Sequence, residues 1–224
     1  RVLFRSLFPI TMKLLPQAKN FPQLRILWNL IDGITGLFSH IRILFYAPGR
    51  NPRSAFQTIP LPDEQCFRLA ERTRDQYLFN RGEAELKWIF QYPWIAEINR
   101  PYEKRYPFSA WASPFYYQTI KVFQENKFAG FFIFSVREGH LKMLFCLIPE
   151  ILEEETARFL KNYCVQNKLE MITVYNKGIA QRLFARKFPF LHAKPFGQKI
   201  YSSFDIEGLK DYKFQDGEGD AIFT

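Results

Sequence analysis

Glycine-rich nucleotide loops, paired cysteines and closely spaced histidines are all missing from this chain, and each absence removes a class of chemistry. Its three cysteines, Cys66, Cys146 and Cys164, are odd in number, far apart and set in apolar sequence. They read as buried thiols in a reducing, cytoplasmic setting, not as a disulfide framework or a CxxC metal site. His40, His140 and His192 stand on separate segments with no second ligand three or four residues away, which argues against zinc. No nucleophile beside a base and no carboxylate pair with divided roles stands out. One metal-like pattern exists, in FQDGEGDAIFT (214–224), where Asp216, Glu218 and Asp220 alternate as in the first half of a calcium loop. Ala221 stands where that loop needs glycine, and no bidentate Glu follows at its twelfth position, so a turn feeding a last strand is the expectation.

Aromatic side chains are abundant: 18% of residues, 25 of them Phe, within a 47% hydrophobic and 24% charged composition that specifies an ordinary globular protein with a Phe-rich interior. The net charge of +9 suggests nucleic acid until it is located. Residues 1–60 hold eight basic residues against Asp32 alone, which is +7, so the other 164 residues carry about +2 and no nucleic-acid footprint. No Met opens the chain, and RVLFRS (1–6) resembles a translated sequencing adapter. A longer reading frame, with Arg1 and Arg5 foreign to it, is the expectation.

From 21 to 46 the apolar residues Leu24, Leu27, Trp28, Ile31, Ile34, Phe38, Ile41 and Phe45 recur at three-and-four spacing, the mark of an amphipathic helix. Ile26, Leu30, Leu37 and Leu44 make the other face apolar too. A helix apolar nearly all round is expected to pack on a neighbouring domain; peripheral membrane contact is the alternative, while Asp32, Gly33, Gly36, His40 and Arg42 disfavour a span. APGRNPRS (47–54) reads as a linker, which divides the chain into an appendage over 1–53 and a domain over 54–224.

The domain's elements follow in order. A strand covers 54–61, and a helix opens at Pro62-Asp63 and runs through Arg74, with a second over 82–91. Three strands, 116–124, 128–138 and 140–148, are separated by the short turns ENK and EGH and form an antiparallel meander. Glu125 and Glu138 in those turns are expected to be solvated. A helix over 150–166 carries Glu153–Glu155 in its first turns. Strand 170–175, helix 178–187, a strand around 199–204 and the terminal GDAIFT complete a mixed α/β class: a mainly antiparallel sheet flanked by helices, plus the N-terminal amphipathic helix.

This order resembles the GNAT (N-acetyltransferase) fold across about 54–224. The closest residue-level likeness is YNKGIAQRLFARKFPFL (175–191), where Asn176, Ala180, Leu183, Phe184 and Phe188 resemble the family's N-x-x-A-x-x-L-Y-x-x-x-G-F pattern. DGEGDAIFT and LKWIFQYPW (86–94) are similar to a divergent bacterial branch of acyltransferases built as two tandem GNAT-like halves. The resemblance implies acyl transfer from acetyl-CoA or another acyl-CoA to an amine. Acyl-CoA would enter between the meander and the next parallel strand, on strand-edge backbone at Cys146 and Ile148 and near Asn176. Tyr175, Glu218 and Asp220 are the catalytic candidates, the two acids for attracting or deprotonating the amine. Tyr175 and Asn176 have a plainer alternative as a strand-end tyrosine and a helix N-cap.

Two departures stand against this. The junction LIPEILEEETA (147–157) holds no glycine, Arg or Lys where the family binds pyrophosphate, only acids that repel it. Phe184 replaces the tyrosine that would protonate the thiolate. The expectation is a GNAT-like half impaired in CoA binding, with the active half in its own N-terminal companion domain and this half shaping the acceptor site. The acceptor would be a small-molecule, sugar or peptide-like amine, gripped by aromatics between Trp88 and Tyr117; the same rings could equally be core, and Trp88 is assigned there. A non-catalytic interaction domain on the same fold is the competing reading.

Overall fold

The computed structural model describes residues 3–7, 54–77, 81–98, 110–190 and 192–196, with Leu30, Ile34, Leu37, Phe38, Ile41 and 43–46. The strands are β1 (Leu3–Leu7), β2 (Ser54–Ile59), β3 (Ile95–Glu97), β4 (Ala110–Ala112), β5 (Phe115–Gln124), β6 (Lys127–Arg137), β7 (His140–Leu147), β8 (Met171–Val174) and β9 (His192–Phe196). The helices are α1 (Glu64–Thr73), α2 (Glu83–Gln91), α3 (Glu153–Gln166) and α4 (Lys177–Ala185). One sheet runs β2-β5-β6-β7-β8-β1-β9, with β7 and β8 its parallel neighbours; β3 and β4 form a separate parallel pair.

The meander follows from its turns. Glu125 and Asn126 (φ 50 and 64°) and Glu138 and Gly139 (φ 49 and 81°) adopt doubly left-handed geometry, whose twist matches that of antiparallel strands. Both glutamates are exposed, as expected. Alternation then divides β5, β6 and β7 between two helical layers. Ile120, Val122, Phe132 and Phe134 meet α3 and α4 through Leu160, Cys164, Ile179 and Leu183. Phe131, Ile133 and Phe145 face the other way, onto Cys66, Phe67 and Ala70 of α1 and Leu86 and Ile89 of α2. The result is the mixed α/β architecture read from the sequence. All three cysteines are buried free thiols.

The junction of β2 with α1 is fixed electrostatically. Asp63 caps α1, its Oδ1 accepting from the Gln65 and Cys66 amides at 3.1 and 3.2 Å, and its Oδ2 accepts from Lys121 Nζ at 2.6 Å. Burial alone would raise the carboxyl's pKa, but Lys121 and the Cys66 amide outweigh it and hold the group below its ordinary value. The ammonium of Lys121, 6% exposed, is thereby compensated on the α1 side of β5. On the opposite layer, Lys161 donates to the Arg186 carbonyl and ties α3 to the end of α4.

Several details depart from the sequence reading. The strand pair β3 and β4 was not foreseen, nor was β9. Strand β1, which begins within RVLFRS (1–6) and ends at Leu7, pairs antiparallel with both β8 and β9. The appendage assigned to 1–53 thus contributes a strand to the sheet. The strands expected at 199–204 and 220–224 lie outside the described residues. The helix expected from 150 begins as a 3-10 turn, Glu150–Leu152, because Pro149 precedes it. Trp88, assigned to the core, is 48% exposed. On a helix that buries Leu86 and Ile89, residue 88 falls on the far side.

Gly130 sets how closely the end of β7 lies on β6. A Cβ there would collide with the Leu147 carbonyl oxygen and sit 3.0 Å from Ile148 Cα, both backbone atoms with no side-chain rotation to relieve them. Gly130→Ala should therefore lower stability by about 1–3 kcal/mol in urea unfolding. Wild-type stability in that variant would mean that this end of β7 is free to move.

Candidate functional site

Three parallel rungs join β7 to β8: His140↔Met171, Leu141↔Ile172 and Lys142↔Thr173. Beyond them, among the described residues, β7 continues to Leu147 on β6 alone, and Leu144 is an extra residue between the Ile133↔Phe145 and Phe134↔Met143 pairs. Such a bulge bends the strand that carries it and reverses which face its later residues take. Leu141 and Met143 pack with α3 and α4, whereas Leu144, Phe145 and Leu147 pack with α1 and α2. The two strands consequently part at the bulge.

The sequence-derived candidates flank this parting. Cys146, 7% exposed, and half-buried Ile148 lie on its β7 side. Tyr175, also 7% exposed, follows β8 and is packed with the α1 and α2 cluster. Asn176 caps α4, its Oδ1 accepting from the Ile179 amide at 2.9 Å, so its side chain already serves the helix. Glu218 and Asp220 lie outside the described residues.

Acyl-CoA would need pyrophosphate recognition where β7 hands over to α3. That junction offers Glu150, then Glu153, Glu154 and Glu155 in the first turn of α3, and no side chain caps the helix. Gly178 lies in the first turn of α4, and the Glu153 carboxyl lies directly against it. The helix start that could attract a phosphate therefore holds the chain's own carboxylate. Burial, then repulsion from Glu150, raises the pKa of Glu153. These residues do not fit a pyrophosphate.

The α1 side of the sheet is better furnished. Register aligns Tyr117 of β5 with Ser135 of β6, Ser135 with Lys142 of β7, and Lys142 with Thr173 of β8. Residues so paired share a face, which makes one polar row across four strands. Tyr175 lies two residues beyond Thr173, hence on the same face. His140 Nε2 and Thr173 Oγ1 are 2.8 Å apart. Ser135 and Thr173 are buried at 7% and 4% exposure, and Lys142 is half-buried. Desolvation, then the Arg137 charge, pushes the Lys142 ammonium down to about 8.

At its β5 end this row meets a cleft of about 250 Å³ lined by Pro60, Leu61, Phe90, Pro93 and Phe115–Tyr117. Tyr117 stands edge-on to both Phe90 and Phe115, with centroids 5.2 and 5.0 Å away, which fixes the aromatic wall. Of the row, Tyr117 lines this cleft, and Lys142 lies two strand spacings, roughly 10 Å, from it. Among the described residues no group of His, Cys, Asp and Glu is arranged to hold a metal ion, and no helix is long and apolar enough to cross a membrane.

No protein-family model matches the chain, and no curated protein matches it. The polar row was not read from the sequence. Its signal was the alternation of His140 and Lys142 along HLKMLFCL, which places both on one face, but Ser135 and Thr173 join them only through register. Of the aromatics expected to line an acceptor site, Phe115, Tyr116 and Tyr117 do line the cleft; Trp111 is 44% exposed, and Tyr102 and Tyr106 lie outside the described residues.

Lys142 is open to direct measurement. Its folded pKa of about 8 lies below the ordinary 10.5, so between those values the unfolded chain binds the extra proton. Wild type should gain stability relative to Lys142→Met as pH rises through that window. Carbon-13 NMR of the Lys142 ε-methylene should give a midpoint near 8; a midpoint above 10 would remove Lys142 as a proton acceptor near neutral pH.

Proposed function

We propose that this chain is a GNAT-like unit of an N-acyltransferase, and that it serves the acceptor amine while a companion domain of the same protein holds the acyl-CoA. The observation that carries this reading is the parting of β7 from β8 after three rungs, within the order meander, helix, parallel strand, helix. The cleft of Phe90, Phe115 and Tyr117 would hold the apolar body of the acceptor. An amine must lose a proton before it attacks a thioester, and Lys142 and His140 on the polar row are the groups here that can accept one. Tyr175, on the same face, would border the same molecule. The reducing setting implied by three buried thiols agrees with a cytoplasmic enzyme.

The acidic start of α3 and the seating of Glu153 against Gly178 also support a second reading, in which the unit only binds and the cleft grips a partner without chemistry.

Titration calorimetry of the chain with acetyl-CoA tests the division of labour. No heat at millimolar ligand is expected, whereas micromolar binding would put the donor site in this unit. Acyl transfer from labelled acetyl-CoA to amines, with the companion domain present, separates the two readings. Lys142→Met and Tyr117→Ala should each cut turnover, the first through kcat and the second through KM for the amine. Turnover unchanged in both would leave the unit a binding module.

A further inference from the structure

Described residues between 30 and 44 are helical, and most of their large apolar side chains face solvent. Leu30, Ile34, Leu37, Ile41 and Leu44 are 60, 61, 63, 43 and 82% exposed, and Phe38 and Phe45 beside them are 57 and 79% exposed. At about 100° per residue these positions fall within one sector of roughly 120°, so Leu30, Leu37 and Leu44 join the stripe of Ile34 and Ile41 instead of opposing it. Ile43 lies ~200° round the helix from Ile41 and packs on the α3 and α4 core. Tyr46 fixes the end: its hydroxyl donates to Asn162 Oδ1 at 2.6 Å, and its ring meets Phe188 at 6.1 Å. The helix is thus anchored by one side and presents its apolar side outward.

The spacing says what covers it. Leu30, Ile34, Leu37, Ile41 and Leu44 step by four, three, four and three, which puts isoleucine at each a position and leucine at each d position of a heptad. That assignment favours two parallel strands. At ~200 Å² per large side chain, these exposures leave on the order of 800 Å² uncovered, as much as each partner buries in a standard interface.

We propose that this stripe pairs with the same stripe of a second copy of the chain, forming a parallel two-helix seam. The dimer would hold two sheets side by side with their cleft faces free to act separately. It does not depend on the acyltransferase reading.

Sedimentation equilibrium of the 224-residue chain at tens of micromolar should give a dimer. Ile34→Glu with Leu37→Glu should weaken it by more than about tenfold while near-ultraviolet circular dichroism stays unchanged. The native thiols are buried, so Leu44→Cys, at one end of the stripe, should oxidise to a covalent dimer through the d layer; an antiparallel seam would hold the two thiols roughly 20 Å apart. A monomeric wild type overturns the proposal, and one that also floats with phosphatidylserine vesicles assigns the stripe to a membrane. A dimer that survives both glutamates belongs to another surface, and a dimer whose Leu44→Cys form fails to cross-link is not parallel; either result overturns it.

Discussion

The single extra residue at Leu144 governs much of what this protein can do. Before it, β7 is held by β6 on one side and by β8 on the other. After it, the strand bends away and, among the described residues, keeps β6 alone. An antiparallel meander joined to a parallel strand has no intrinsic reason to part, since each further rung would satisfy two more backbone groups. The bulge supplies the reason by changing direction and face together. It turns Phe145 and Leu147 toward α1 and α2, where burial of two large side chains compensates for the forfeited rungs. Gly130 completes the arrangement by letting the Leu147 carbonyl lie where any side chain would exclude it.

The two faces of the sheet are consequently unequal. The α3 and α4 side is mainly apolar, with Lys161 tied to the Arg186 carbonyl and the helix starts closed by Asn176 and by Glu153. The α1 and α2 side, over the half beyond the bulge, packs Phe131, Ile133 and Phe145 beside the buried Thr119 and Lys121. Its other half carries Tyr117, Ser135, Lys142 and Thr173 in register, and desolvation there lowers the proton affinity of Lys142. Desolvation of a half-buried lysine, with the Arg137 charge beside it, costs stability wherever the ammonium is retained. The acids at the start of α3 set a limit of a different kind: whatever occupies the parting of β7 and β8 does not bring a diphosphate to that helix.

Local chemistry was readable wherever a neighbour in sequence decides the outcome. Asp63 and Asn176 cap helices through backbone donors two or three residues away, the turns at Glu125 and Glu138 use left-handed backbone angles, and Pro149 stops its strand by lacking an N–H. Trp88 failed because its place depends on which face of α2 meets the sheet. The N-terminal stripe failed in a related way. Its residues were divided between two faces, when a 3.6-residue period puts them side by side.

The sequence by itself determined the order of β2, the four helices and β5 to β8, the mixed α/β class, the burial of the three thiols and the acidity that opposes a phosphate at α3, because these rest on composition, period and adjacent residues. Only the tertiary structure decided that β1 enters the sheet between β8 and β9, that Leu144 parts β7 from β8, and that Tyr117, Ser135, Lys142 and Thr173 fall into line. Register between strands far apart in the chain is fixed by packing and by the count of residues through a bulge. A shift of one residue would have sent every one of those side chains to the opposite face.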